Sequence, residues 1–176
     1  EKEWIGIYHD QKDYAVCFGV EPEIWQKAED NQYVPETSLT ETEIRMPGGH
    51  LTIAQLIALL NTIPMEITFV DVDNINRFFN EGPKDFKRPG MAIDREVFSC
   101  HPPKIEATVR RIIGEFRAGA LDEVPIWMDK NGKCMLVRYM AVRDKEGKYL
   151  GTLELVQDMG FAKEHFQPEK RQEEIW

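Results

Sequence analysis

Paired cysteines are missing from this chain. Its three cysteines, Cys17, Cys100 and Cys134, stand far apart, with no CxxC spacing and no even-numbered set. A disulfide framework is therefore not expected, and the pattern fits a reducing, cytoplasmic setting. An excess of positive charge is missing too. The 22 Lys and Arg are outnumbered by 31 Asp and Glu, leaving a net charge of -9. Phosphate neutralisation needs clustered cations, so this balance argues against a nucleic-acid-binding surface. Nor is there an apolar run long enough to cross a bilayer. The richest, "LTIAQLIALLNTI" (Leu51–Ile63), is short and broken by polar residues, so no membrane role is expected. A signal peptide is lacking. The first residue is Glu1 rather than Met, and the chain reads as a piece of a longer protein whose N-terminus lies upstream.

What is present is material for a core: 42% apolar and 30% charged residues. Residues 1–47 read as an arm, the tail of a preceding domain. "EWIGIYHDQKDYAVCFGV" places two apolar runs around a polar turn at His9–Asp13, which predicts a hairpin. The acidic stretch after it reads as a linker. "MPGGH" then resets the chain, and residues 48–166 read as a domain, with 167–176 a C-terminal tail.

Within that domain a helix is expected over Leu51–Ile63, ended by Pro64. Its apolar residues cover more than one stripe, so the helix is expected to mediate a homodimer. "MEITFVD" (Met65–Asp71) and "INRFFN" (Ile75–Asn80) read as strands, and "EGPKDFKRPG" as loop or short helix. Pro102 and Pro103 suit the first turn of a helix. There Ile105, Val109, Ile112, Ile113 and Phe116 recur on one face, and Gly119 stops it. Three strands follow, joined by the similar turns "DKNGK" (Asp129–Lys133) and "DKEGK" (Asp144–Lys148). Each fits a three-residue loop with Gly132 or Gly147 in the left-handed conformation. That register sets Arg138 opposite Glu154, and Met128 opposite Cys134. The expected class is α+β: a five-stranded antiparallel sheet with helices on one face.

These elements resemble the PAS sensory domain. Asp71 and the strand Arg77–Asn80 look like its opening hairpin. "RYMAVRDKEGKYLGTLELVQD" (Arg138–Asp158) resembles its closing hairpin, a basic strand, a Gly turn and an apolar strand ending in Asp. More narrowly, "LNTIPMEITFVD", "FFNEG", "CHPPK" and "RYMAVRDKEGKYLGTLE" are similar to a bacterial and archaeal family of unassigned function, in which the PAS domain follows a hemerythrin-like helical region. The resemblance implies a sensory module and a dimer formed through the helix before the first strand. Haem-binding PAS sensors carry their axial histidine on the long helix, and Lys104–Ala118 contains none. The Asn-Cys-Arg-type motif of flavin photosensors is also absent. No cofactor is evident.

Three chemical readings then compete. Cys100–His101 could form a reactive dyad, but covalent catalysis also needs a lowered thiol pKa and an orienting group. The plainer reading is that His101 caps the following helix and Cys100 packs. A metal site would have to recruit Cys100, His101 and Cys134 without any paired spacing. A small-molecule pocket between helix and sheet is the third reading. Phe78, Ile105, Val109, Trp127, Met128, Met135 and Met140 would line it, with Arg138, Tyr139 and Glu154 as polar candidates. The same side chains could equally fill a dry core. Strand alternation forbids Tyr139 and Met140 from both facing inward. The expected function is a non-catalytic sensory, ligand-binding and dimerisation module of a larger cytoplasmic signalling or stress-response protein. The alternative is part of a metal- or haem-linked redox protein using Cys100 and His101 or a centre in the missing N-terminal region.

Overall fold

The computed structural model describes residues 41–82, 84–86, 92–101 and 103–166. The expected N-terminal hairpin around His9–Asp13, Cys17 and the tail 167–176 lie outside the described residues. The domain opens with a small hairpin, β1 (Glu43–Met46) and β2 (Gly49–Thr52). Met46 pairs with Gly49, so the hairpin straddles the expected boundary between residues 47 and 48. Helix α1 (Ile53–Thr62) follows, then β3 (Glu66–Asp71) and β4 (Asn76–Phe79). A 3₁₀ turn (Val97–Cys100) leads to the long helix α2 (Pro103–Ala118). Strands β5 (Glu123–Lys130), β6 (Lys133–Arg143) and β7 (Tyr149–Asp158) come next, and a short helix α3 (Gly160–His165) ends the described chain.

Helix α1 starts later than its apolar pattern predicts, because Leu51 and Thr52 belong to β2. Thr52 is instead a capping residue. Its hydroxyl accepts from the Gln55 amide at 3.2 Å, and the Gln55 side chain accepts from the Thr52 amide at 2.9 Å. The two bonds satisfy orphan donors reciprocally. None of the helix residues is buried.

The large sheet is antiparallel throughout, in the order β4-β3-β7-β6-β5. The expected five-stranded α+β architecture is the one observed. Two details of register are corrected. The "DKNGK" turn is a two-residue loop: Lys130 pairs with Lys133, and Asn131 (φ 54) and Gly132 (φ 80) both adopt positive φ. Two successive positive φ angles give a turn whose twist matches that of the flanking strands, where a type I or II turn would splay them. Met128 therefore faces Met135, and Cys134 faces Asp129. The "DKEGK" turn does form the expected three-residue loop, with Gly147 at φ 82 and the Asp144 amide donating to the Lys148 carbonyl at 3.0 Å. A bulge between Val142 and Arg143 then shifts the ladder by one residue. Arg138 comes to lie beside Leu155, and Glu154 beside Tyr139.

Helix α2 covers one face of this sheet. Val109, Ile112, Ile113 and Phe116 are buried, as their spacing predicts, whereas Ile105 is 38% exposed. The stripe's N-terminal member therefore lies outside the buried face. Arg143 secures the other end, donating to the Phe116 carbonyl at 2.7 Å. Arg117 reaches across to the Val72 carbonyl and the Asn74 side chain.

Candidate functional site

Alternation and register decide which side chains meet α2. Residues opposite one another on paired strands share a face. Met135 and Val137 are buried towards the helix side, so Tyr139 and Ala141 join them, as do Glu154 and Val156 on β7 and Glu66 and Thr68 on β3. Three apolar clusters form there. Val109 and Ile113 pack with Val70, Val97 and Phe98. Ile112 and Phe116 pack with Tyr149, against Val124, Tyr139 and Ala141. The third cluster joins Phe86 to Met135, Val137 and Val156, with Ile126, Met128 and Tyr139 around it. Among the described residues, α2 contributes to the first two clusters and not to the third. Over Met135 and Val156 the cover is Phe86, which is 1% exposed and comes from a stretch that is neither helix nor strand.

Polar groups hold Phe86 in place. The backbone amides of Asp85 and Phe86 both donate to Glu66 Oε1, a buried carboxylate on β3. Lys130 lies 3.6 Å above the centre of the Phe86 ring and donates to the Asp85 carbonyl. Lys133 pairs with the Asp85 carboxylate at 2.7 Å, and this hydrogen bond holds the lysine's pKa above its ordinary value. Deeper in the same face, the Tyr149 and Thr152 hydroxyls bond to each other at 2.8 Å. Asn80 locks the start of β3: its amide group donates to the Leu60 and Met65 carbonyls, and its oxygen accepts from the Ile67 amide.

The expected pocket residues divide between faces. Val109, Met128 and Glu154 lie on the helix side, as do Met135 and Tyr139. Met140, Leu153, Phe69 and Phe78 form one row across the opposite face, by direct pairing. Arg138 also lies on that face, where its Nε donates to Glu123 at 2.6 Å. That hydrogen bond lowers the Glu123 pKa and raises that of Arg138. Trp127, on the same side of β5, is 60% exposed. Phe78, Trp127, Arg138 and Met140 therefore do not meet Val109 and Met128. The reason is the two-residue period of the strands, which separates Trp127 from Met128 as it separates Met140 from Tyr139. Ile105 is withdrawn from the lining for the reason already given.

Cys100–His101 resolves in part. His101 is buried, and its Nδ1 lies 2.8 Å from the Val97 carbonyl oxygen. A carbonyl only accepts, so Nδ1 carries the hydrogen. The histidine thus closes the 3₁₀ turn that leads into α2. The Cys100 side chain lies outside the described residues. Cys134 is half-buried on the strand face away from α2, so it does not converge with His101. Among the described residues, no group of three or more His, Cys, Asp and Glu is arranged to hold a metal ion.

Sequence reasoning missed Phe86 and Glu66. A lone Phe in the charged run "KDFKRPG" carries no periodicity, and Glu66 reads as an ordinary strand-end charge. The one available signal was alternation, which puts Glu66 on the same face as Thr68 and Val70.

The fold and these residues can be set beside known proteins. A family model described as PAS domain matches residues 56–160. The C-terminal domain of a Streptococcus mutans protein, in a crystal structure, is 37% identical, with a TM-score of 0.68, over 71% of this chain and 98% of that one. A PAS domain from Colwellia psychrerythraea is 15% identical, with a TM-score of 0.44, over 60% and 95% of the two chains. A sensory box sensor histidine kinase from Vibrio cholerae is 12% identical, with a TM-score of 0.42, over 58% and 88%. A comparison with curated protein sequences found no match. With its central region matched by the family model and the sheet order and helix cover described above, this chain belongs to the PAS domain family.

Proposed function

We propose that the chain is a sensory module that takes a small ligand between α2 and the sheet and performs no catalysis of its own. The observation that carries this reading is the uneven cover of the helix-side face. Among the described residues, helix α2 packs on two of the apolar clusters, whereas the third, which includes Met128 and Met135, is joined by Phe86 from residues 84–86, neither helix nor strand. Ligand pockets are mostly apolar with a few fixed polar groups, and Glu66, Glu154 and the Tyr149–Thr152 pair supply such groups on this face. Methionine suits a surface that must repack around different occupants.

The module serves a larger cytoplasmic signalling or stress-response protein. The resemblance to the hemerythrin-associated family supports that setting. No described helix is long and apolar enough to cross a membrane. Self-association through α1 belongs to the same reading. Ile57 and Leu59 are 46% and 48% exposed on a helix that buries none of its residues. Sedimentation of the chain, and of a version lacking residues 1–47, tests this: dimers in both forms support it, and a monomer in both removes it.

The sensory reading is tested on protein purified without added cofactor, by absorbance, metal analysis and native mass spectrometry. A stoichiometric small organic molecule supports it. A haem band or stoichiometric iron replaces it with the redox reading.

A further inference from the structure

We propose that β1 is an open sheet edge that pairs with β1 of a second copy of this chain, joining the two small hairpins into one continuous sheet. The inference rests on the self-association proposed above and names the contact that sets its register. Among the described residues, β1 pairs only with β2, in a two-stranded sheet separate from the large one. A two-stranded hairpin is marginal in water on its own. The Ile53 amide donates to the Thr42 carbonyl at 2.9 Å, so antiparallel alternation makes Thr42, Ile44 and Met46 the residues bonded towards β2. The amides and carbonyls of Glu43 and Arg45 therefore point away from β2, along the open edge.

The charge pattern of that edge is complementary to itself. A twofold axis centred on Ile44 sets Glu43 opposite the partner's Arg45 and Arg45 opposite the partner's Glu43, with the two Ile44 residues facing each other. In this register the outward backbone groups of Glu43 and Arg45 meet those of the second copy and exchange hydrogen bonds. Opposite charges facing across strands are favourable and like charges are not. Sliding one strand by two residues sets Glu43 opposite the partner's Glu43, or Arg45 opposite the partner's Arg45, so charge selects the register. An edge guarded against pairing carries charges that repel a second copy, whereas β1 carries one of each sign. Within one copy Arg45 Nε donates to the Glu43 carboxylate at 3.0 Å, and His50 Nδ1 lies 2.6 Å from it, but the Arg45 side chain is 85% exposed. So exposed a pair is worth little, and Arg45 exchanges its own Glu43 for the partner's at small cost. Helix α1, packed beside β2, supplies apolar area through Ile57 and Leu59.

Sedimentation equilibrium of the full chain is compared with that of Glu43→Arg, of Arg45→Glu, of the double variant, and of an equimolar mixture of the two single variants. Each single variant sets like charges opposite one another and is expected to weaken dimerisation by about tenfold. The double variant regains the dimer, and the mixture forms heterodimers, because its two altered strands carry opposite charges. Amide exchange at Glu43 and Arg45 is expected to slow as the concentration of the unaltered chain rises, while exchange at Ile44, bonded to β2 in either state, stays constant. Single variants that dimerise as well as the unaltered chain would overturn the strand pairing; if Leu59→Glu then abolishes the dimer, self-association through α1 stands without it. A monomer at every concentration overturns both. Glu43 and Arg45 amides protected to the same degree in a monomer would assign the edge to residues 1–40 and likewise overturn the pairing.

Discussion

Ile112 and Ile105 sit seven residues apart on α2, and sequence periodicity treats them as equals. The structure does not: Ile112 is 2% exposed and Ile105 is 38% exposed. Replacing Ile112 by Ala removes three carbons from the interface with Phe116 and Tyr149. At about 0.8 kcal/mol per buried CH₂ the transfer loss is roughly 2.4 kcal/mol. The residual cavity brings the total to about 3–4 kcal/mol, within the range of such truncations. At Ile105 the lost burial is smaller, and Ala gains a few tenths of a kcal/mol in helix propensity, so the net cost is at most about 1 kcal/mol. Urea unfolding followed by circular dichroism measures both. With an m-value of about 1.5 kcal/mol/M, I112A lowers the midpoint by about 2–2.7 M and I105A by less than about 0.7 M. Equal shifts for the two variants would refute the assigned helix face and with it the position of α2 over the sheet.

Gly151 lies where β7 passes β3, and a Cβ there would stand 2.3 Å from the Val70 carbonyl oxygen and 2.8 Å from the Phe69 ring. Gly151→Ala should therefore cost roughly 3 kcal/mol or more, or prevent folding, as backbone cannot yield like a flexible side chain; a neutral effect in the same titration would contradict the close approach. Asn80→Ala strands the Ile67 amide and the Leu60 and Met65 carbonyls, with an expected cost of about 2–4 kcal/mol and faster amide exchange at Ile67. Exchange at Ile67 that stays as slow as before would show the lock to be dispensable. Burial alone would raise the Asp71 pKa, but the Ile75 amide, Arg77 and the Asp73 amide together outweigh it and leave the value lowered from 3.8. The charged carboxylate therefore stabilises the fold above the unfolded pKa, near 3.8, and that stabilisation is lost as pH falls through the lower folded value. Asp71→Asn should lower stability at neutral pH and flatten the acid limb of a stability–pH curve, whereas an unchanged limb would refute the role of this carboxylate.

Much of the fold was legible because its signals are local. The two Asp-Lys-x-Gly-Lys turns announced the closing meander, and Val109, Ile112, Ile113 and Phe116 announced the buried face of α2. What escaped was set by geometry that no short stretch encodes. The bulge at Val142 and Arg143 moves Arg138 from Glu154 to Leu155, and its salt bridge goes to Glu123 on the neighbouring strand instead. The choice between two and three residues in "DKNGK" turns on Asn131 accepting positive φ, which the same motif with Glu146 does not require. Of the residues expected to line a pocket, Val109, Met128 and Glu154 lie on the helix side of the sheet. Trp127, Arg138 and Met140 were drawn in by chemical type against their strand parity. Phe86 could not be found from pattern, since its importance comes from the strands it covers and from a carboxylate nineteen to twenty residues away.

The central claim is that ligand is sensed on the helix side of the sheet. Methionine methyl groups report on both sides at once. Met128 and Met135 lie beneath Phe86 on the helix side of the sheet, while Met140 lies on the opposite face and Met46 is exposed in the first hairpin. The chain labelled with ¹³C at its seven methionine methyls is titrated with small-molecule mixtures, including an extract of the expression host, and the signals of these four are followed. The account predicts that Met128 and Met135 respond together and saturate while Met140 and Met46 stay in place. A saturable response of Met140, with Met128 and Met135 unmoved, would put the binding surface on the other face and contradict it.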